Sequence, residues 1–321
     1  MSYQHEYSTN TSFLHFIDSL SIMNHNLSFN EYYSQKLKIF ETYLEESFPF
    51  LPSEVAILAE AMKYSLLAGG KRLRPILLLT TIECTGTDSD FALPFAGAIE
   101  YIHTYSLIHD DLPCMDNDEL RRGIPTNHIR FGEDIALLAG DALLTHCFYL
   151  ISEQIPDKVS AETALRIINI LAGKAGVYGM VSGQVADIRG TLKTTPQNAL
   201  DFIHTNKTGA LILSSIQIGA LLANVNKSKF KLLTDFGEQI GKCFQIQDDI
   251  LDETGKKELM GKTPGSDKRN DTLTYPSVFG LEKSYDLANQ CYEKAIASLD
   301  QSGLMTERLK ELARFVLKRD H

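Results

Sequence analysis

Residues 91–118 read FALPFAGAIEYIHTYSLIHDDLPCMDND. From Phe91 to Leu112 the apolar side chains recur every three or four residues, the period of a helix. The run then breaks into Asp110, Asp111, Asp116 and Asp118 around Pro113. Proline cannot continue a helix, so the helix should end or kink near Leu112 and let Asp116 swing back towards Asp110.

The same period extends in both directions. A first helix should follow Ser28 or Asn30 and reach Glu46, before Pro49 and Pro52. Ser53 should cap a second through Leu67, closed by Gly69 and Gly70. Further helices are expected over 75–83, 91–112, 133–153, 161–179, 196–206, 208–223, 229–251, 276–298 and 306–319. Alternating strands with hairpin turns are not evident. The segment 252–275, rich in Gly and charge, reads as a long lid or binding loop. These signs predict an all-α fold: one bundle of about ten or more helices over residues 28–321, preceded by a polar extension over 1–27.

The chain has 321 residues, 44% of them hydrophobic, which is long enough for one large core. Its 31 Lys and Arg against 41 Asp and Glu leave a net charge of −10, which argues against a nucleic-acid surface or a polybasic membrane anchor. Residues 1–27 lack the basic and apolar regions of a secretory signal. The charge-free stretch 208–226 is diluted by Ser214, Ser215, Gln217 and two glycines, so a buried helix is expected there and no membrane span. Cys84, Cys114, Cys147, Cys243 and Cys291 form no C-x-x-C pair and read as buried free thiols in a reducing, cytoplasmic setting.

A second cluster, Asp248-Asp249-Ile-Leu-Asp252, also follows an apolar helical run. Concentrated carboxylates beside a core repel one another and lose hydration, which costs stability unless a cation neutralises them. Asp248 and Asp252, four apart, share a helical face. Oxygen donors without His or Cys suit a hard ion, and Mg²⁺ completes a few carboxylates with water and substrate phosphates. A solvated helix end could carry the same residues, but carboxylates there oppose the negative end of the helix dipole. In Gly70-Lys71-Arg72-Leu73-Arg74-Pro75 the cations follow a glycine turn suited to a phosphate, without the spacing of a nucleotide-binding loop. Arg121 and Arg122 could bind phosphate oxygens or be a solvated charge run. His103, seven residues before Asp110, falls on a similar helical face.

Together these motifs resemble the trans-isoprenyl diphosphate synthases. Residues 100–128 look like the family's first aspartate-rich region, and FQIQDDILDETG from Phe244 is similar to the second. GKRLRP, KTGAL from Lys207 and GKTPGSD from Gly261 stand in the family's order. The resemblance implies a helical bundle around a deep central cavity, usually a homodimer, and head-to-tail condensation of isopentenyl diphosphate with an allylic diphosphate. It implies that Asp110, Asp111, Asp116, Asp248, Asp249 and Asp252 hold Mg²⁺, three ions in all, with Mn²⁺ able to substitute. It assigns Arg121, Lys207 and Lys262 to the allylic diphosphate, and Thr208 and Gln245 to the neighbourhood of the reacting carbon. Lys71, Arg74, His103 and Arg122 match isopentenyl diphosphate contacts, and the released diphosphate is the expected base. Two positions depart from the pattern: Thr272 where relatives often have lysine, and Glu119 where many have aspartate.

Tyr105, with Ser106 beside it, lies five residues before Asp110, about 7.5 Å back along the helix at 1.5 Å per residue. An aromatic residue there, with Pro113 and Cys114 inserted in the motif, resembles bacterial farnesyl diphosphate synthases. A C15 product from dimethylallyl and geranyl diphosphate is expected, with geranylgeranyl or geranyl diphosphate as the alternative. A class I terpene cyclase would need no isopentenyl pocket, and a non-catalytic synthase partner would be expected to lose one cluster. A di-iron bundle would share Glu100-x-x-His103 but needs a second such pair, which the chain lacks.

Overall fold

The computed structural model describes residues 27–190, 194–254 and 273–319. Lys262 and Thr272, most of the expected loop and nearly all of the polar extension lie outside the described residues. The rest is all-α, with fourteen α-helical segments among the described residues.

Helix α1 (Phe29–Glu46) starts at Ser28, whose hydroxyl accepts from the Glu31 backbone while Glu31 accepts from the Ser28 N–H; this reciprocal pair selects Ser28 over Asn30. Helix α2 (Ala56–Leu66) does not begin at Ser53, which opens a short 3₁₀ turn and makes no side-chain cap. Helix α3 (Leu73–Glu83) follows Gly69 and Gly70, both at positive φ. Helix α4 (Leu93–Asp110) ends two residues earlier than expected, at the aspartates themselves.

Helices α5 (Asn127–Phe131) and α6 (Glu133–Ser152) meet at Gly132. The expected helix 161–179 stops early as α7 (Ala161–Ala175), and an unforeseen helix, α8 (Met180–Arg189), follows a tight reversal. The reversal requires glycine: a Cβ on Gly179 would lie 2.8 Å from the Lys174 Cα.

Helices α9 (Pro196–His204) and α10 (Ala210–Leu222) were expected as separate elements; a π-helical turn, Thr205–Gly209, joins them without a break. Helix α11 (Lys227–Thr254) carries the second aspartate cluster on its last turns. Gly280, at φ +82°, splits the next expected helix into α12 (Tyr275–Phe279) and α13 (Leu281–Ser302), and α14 (Glu307–Lys318) closes the chain. One small ribbon pairs Leu120–Arg121 with Ile124–Pro125.

Two apolar cores meet at α3 and α10. One gathers Phe40, Leu66, Phe95, Tyr101 and Leu143 around α4. The other gathers Phe236, Ile240, Ile246, Leu299 and Leu312 around α11. Helix α3 feeds both, Leu78 and Leu79 into the first and Ile76 and Leu77 into the second. Helix α10 packs closely on it, since a Cβ on Gly219 would sit 2.7 Å from the Leu78 carbonyl oxygen. The charge-free stretch is therefore a core helix, with its residues from Ala210 to Ala220 nearly all buried. By length and composition alone, α6 and residues 161–189 could cross a membrane, with 39% and 33% of their apolar windows buried in the bundle. Of the five free thiols four are buried; Cys114, on the loop after Pro113, is exposed.

Candidate active site

Helix α4 delivers the first aspartates to one end of the bundle. Beyond Asp110 the chain turns, and the Asp116 N–H donates to the Asp110 carbonyl at 2.8 Å, bringing the third aspartate back against the first. Asp110 accepts a 2.9 Å hydrogen bond from the Gln184 amide of α8. Asp111 is buried and grips Arg121, whose Nε lies 2.7 and 2.8 Å from its two oxygens. Arg121, expected to meet a diphosphate, is held by this carboxylate through Nε and one Nη.

Lys207 stands on the π turn. Such one-residue expansions re-aim a side chain within a helix and are frequent at functional sites. Its ammonium donates to Asp187 of α8 at 2.5 Å. Burial disfavours that charge, but Asp187, Asp110 and Asp116 outweigh it and hold the pKa above the ordinary lysine value. Thr208 follows, half-buried on the same turn.

The second cluster divides. A helix turns about 100° per residue, so Asp248 and Asp252 face one way and Asp249 another. Asp248 is exposed and accepts from the Arg319 guanidinium at 2.8 Å. Arg319 also lies over the Phe244 ring, 3.9 Å from its centroid. Asp249 is buried, accepting from the Gln245 amide at 2.9 Å and the Tyr275 N–H at 2.8 Å. His204 is 3.8 Å away, its pKa pushed down to about 4, chiefly by burial. Asp249 thus ties α12 to α11 through the Tyr275 N–H, while the half-buried Gln245 bonds it from one turn earlier on α11.

The basic group collects beside the first cluster. Arg122 donates to the Gly69 carbonyl and lies against Gly70, where a Cβ would come within 2.8 Å of its guanidinium carbon. The Arg74 Nε is buried without a hydrogen-bond partner. Desolvation lowers the Arg74 pKa, opposed by Glu100 and Asp248. Desolvation, reinforced by Arg74, Arg122, Arg121 and Arg72, holds His103 well below the usual histidine range, so it is neutral. The Lys71 carbonyl accepts from the Tyr33 hydroxyl. Arg74 is thus within electrostatic reach of both Asp248 and Arg122.

Tyr105 is buried on α4, its ring edge-on to His109 with centroids 5.7 Å apart, and its hydroxyl pKa is raised to about 12, chiefly by burial. The Ser106 hydroxyl donates back to the His103 carbonyl at 2.9 Å. Glu100 bonds Arg72 at 2.6 Å, which uses the carboxylate that a di-iron site would need.

Sequence reasoning missed Gln184, Asp187 and Arg319. Gln184 and Asp187, three apart on α8, were the available signal. No three described Asp, Glu, His or Cys side chains are gathered closely enough to cage an ion by themselves. The donor set nevertheless fits a hard divalent cation: Asp110, Asp111, Asp116 and Asp248 are all-oxygen donors, and Asp111 and Asp248 each already hold a cationic side chain.

The sequence pattern of the polyprenyl synthetases matches residues 55–312. The chain belongs to the polyprenyl synthetase family. Among polyprenyl synthetases it is 44% identical over 295 residues to the farnesyl diphosphate synthase of Geobacillus stearothermophilus, an alignment covering 92% of this chain and 99% of the relative. The Micrococcus luteus farnesyl diphosphate synthase is 46% identical, with 82% and 89% covered. Capsicum annuum geranylgeranyl pyrophosphate synthase is 44% identical, with 85% and 73% covered. The fold matches a Helicobacter pylori geranyltransferase, complexed with magnesium and isoprenyl diphosphate, with a TM-score of 0.81 at 33% identity over 92% of this chain and all of that one.

Proposed function

We propose that the protein is a farnesyl diphosphate synthase, joining isopentenyl diphosphate head to tail with dimethylallyl and then geranyl diphosphate. The observation that carries this reading is Lys207 on the π turn, held by Asp187 within electrostatic reach of Asp110 and Asp116, in a chain that carries both aspartate clusters. Relatives named for two different products bear on product length, and the buried ring of Tyr105 favours C15 over C20.

Asp110, Asp111, Asp116, Asp248 and Asp252 would hold Mg²⁺ together with the allylic diphosphate's oxygens, three ions in all, with Mn²⁺ as a substitute. Bound there, the metal supplies neutralisation of the charge that builds on the departing diphosphate. Lys207 is positioned by Asp187 to take one diphosphate oxygen, and Lys262 and Arg121 serve the same group. Thr208 and Gln245 supply oxygen dipoles near the reacting carbon. Lys71, Arg74, His103 and Arg122 bind isopentenyl diphosphate, and neutral His103 can donate an N–H without repelling the neighbouring arginines. The last proton leaves to the released diphosphate.

Residues 28–321 act as one synthase domain in the cytoplasm, working as a homodimer. Support for pairing comes from Leu137, Leu138 and Tyr149, exposed at 46%, 53% and 44% on α6.

The test is to incubate the purified chain with Mg²⁺, isopentenyl diphosphate and either allylic substrate, and to size the dephosphorylated products. Farnesol from both substrates is expected. No condensation with either would overturn the enzyme reading, and a C20 main product would overturn the chain length.

A further inference from the structure

The cations of Gly70-Lys71-Arg72-Leu73-Arg74-Pro75 have different fates, although the sequence presents them as one group. The Arg72 side chain is fully enclosed, and each of its three guanidinium nitrogens makes a hydrogen bond. Its Nε donates to Glu41 of α1 at 2.7 Å, one Nη to Glu100 of α4 at 2.6 Å, and the other to the Leu66 carbonyl at the end of α2, also at 2.6 Å. With no exposed surface, it presents no donor to a substrate oxygen. Two residues later the balance reverses, because the Arg74 Nε is buried and has no partner.

The backbone is shaped for this division. Arg72 has φ +49° and ψ +35°, the left-handed conformation that a β-carbon disfavours and that persists only where the surroundings enforce it. The enforcing contacts are the three helices that hold its side chain. Through them the turn between α2 and α3 is fixed relative to α1 and α4. That turn also carries Gly69 and Gly70, on which Arg122 rests, and Lys71, whose carbonyl is held by Tyr33.

We propose that the Glu41–Arg72–Glu100 clamp is the positioning device of the isopentenyl diphosphate subsite, setting Arg74, Lys71 and Arg122 at their working separation while touching no substrate itself. This rests on the assignment above of Lys71, Arg74, His103 and Arg122 to isopentenyl diphosphate. The allylic side, built from Lys207, Asp187 and the aspartates, lies on α8, the π turn and the cluster ends; the clamp's one contact with α4 is at Glu100, ten residues before Asp110, and none of its hydrogen bonds goes to the allylic residues themselves.

The prediction is a selective effect. In the full-length protein, Glu41→Gln removes one charged arm at a position where the carboxylate is 30% exposed, so the fold survives. It should raise the KM for isopentenyl diphosphate about tenfold, the size of a lost charge-assisted hydrogen bond, and leave the allylic KM within about twofold. Arg72→Met should raise it further, and Arg72→Lys, which keeps the charge but not the fork, should recover part of the loss. Calorimetric binding of isopentenyl diphosphate should follow the same order, with thermal midpoints recorded for each variant.

A clamp that is merely structural would lower the midpoint and total activity while moving neither KM selectively. Equal changes in both KM values, or an unchanged isopentenyl KM in Glu41→Gln and Arg72→Lys beside an active wild type, would overturn the proposal. A wild type that neither condenses nor binds isopentenyl diphosphate would instead overturn the site assignment, and the clamp's role with it.

Discussion

Gly183 is the residue through which α8 approaches the turn that carries Lys207. A Cβ built there would lie 2.7 Å from the Lys207 Cα and 2.9 Å from the Asn206 carbonyl carbon, and closer still to the Lys207 nitrogen. Ordinary contact begins at 3.4 Å, so Gly183→Ala is short by 0.7 Å at the Cα and by more at the nitrogen. All three atoms are backbone, and no rotamer change can relieve the overlap. Either α8 retreats, taking Gln184 and Asp187 away from Asp110 and Lys207, or the π turn is displaced. Overpacking of this kind costs about 1–3 kcal/mol of stability. The functional cost should be larger, since a displacement of about 1 Å in a positioned group can cost about 100-fold in rate. Gly173, with nothing within 4 Å of its would-be Cβ, is the control; alanine there should be neutral or stabilising by up to about 1 kcal/mol. The assay is steady-state condensation with labelled isopentenyl diphosphate and varied geranyl diphosphate, with thermal midpoints taken alongside. Gly183→Ala should stay folded at the assay temperature and lose about 100-fold in allylic kcat/KM. Values within twofold of the wild type would refute the claim that α8 positions Lys207.

Three further outcomes follow from the same contacts. Tyr105→Ala should open the path behind the aspartates and shift the product beyond C15 on thin-layer or mass analysis; unchanged C15 output would remove Tyr105 from chain-length control. Asp249→Ala leaves the buried Tyr275 N–H and the Gln245 amide without their acceptor, and should cost about 1–3 kcal/mol by urea unfolding, whereas an unshifted midpoint would deny its latching role. His146 is stacked between Tyr101 and Tyr149, and burial lowers its pKa. The unfolded chain therefore takes up that proton first, so the contribution to stability is full above about pH 6.5 and is lost as pH falls below it. His146→Phe should flatten the decline of the thermal midpoint on acidification, and an identical decline in both proteins would contradict this.

What could be read in the sequence was whatever one helix specifies by itself. The start of α1 at Ser28 or Asn30, the aspartates ending α4 and the buried face of α10 all follow from local periodicity and local hydrogen bonding. Helix α8 was invisible because it packs through Met180, Gly183 and Ala186, two of them too small to mark an apolar face, while Val181, Val185 and Ile188 are exposed. The π turn carries no propensity signature, because it arises where Gly209 lets α11 approach through Gly241, a long-range contact. Charge was legible as a set but not by role. Arg72 and Arg74, or Asp248 and Asp249, are indistinguishable by type, and only the packing of α1, α2, α4 and α12 decides which is used up internally. The net charge of −10 likewise excludes a polyanion-binding surface without describing the site, where cations and carboxylates meet on a scale of a few residues.

The central claim is that two aspartate clusters, 138 positions apart between Asp110 and Asp248, serve one reaction centre. Its most direct test is the Mg²⁺-dependent condensation rate of Asp110→Asn and of Asp248→Asn, measured beside the wild type at saturating substrates. Each substitution alone should lower turnover by orders of magnitude without unfolding the chain. A near-normal rate in either variant would contradict the shared centre.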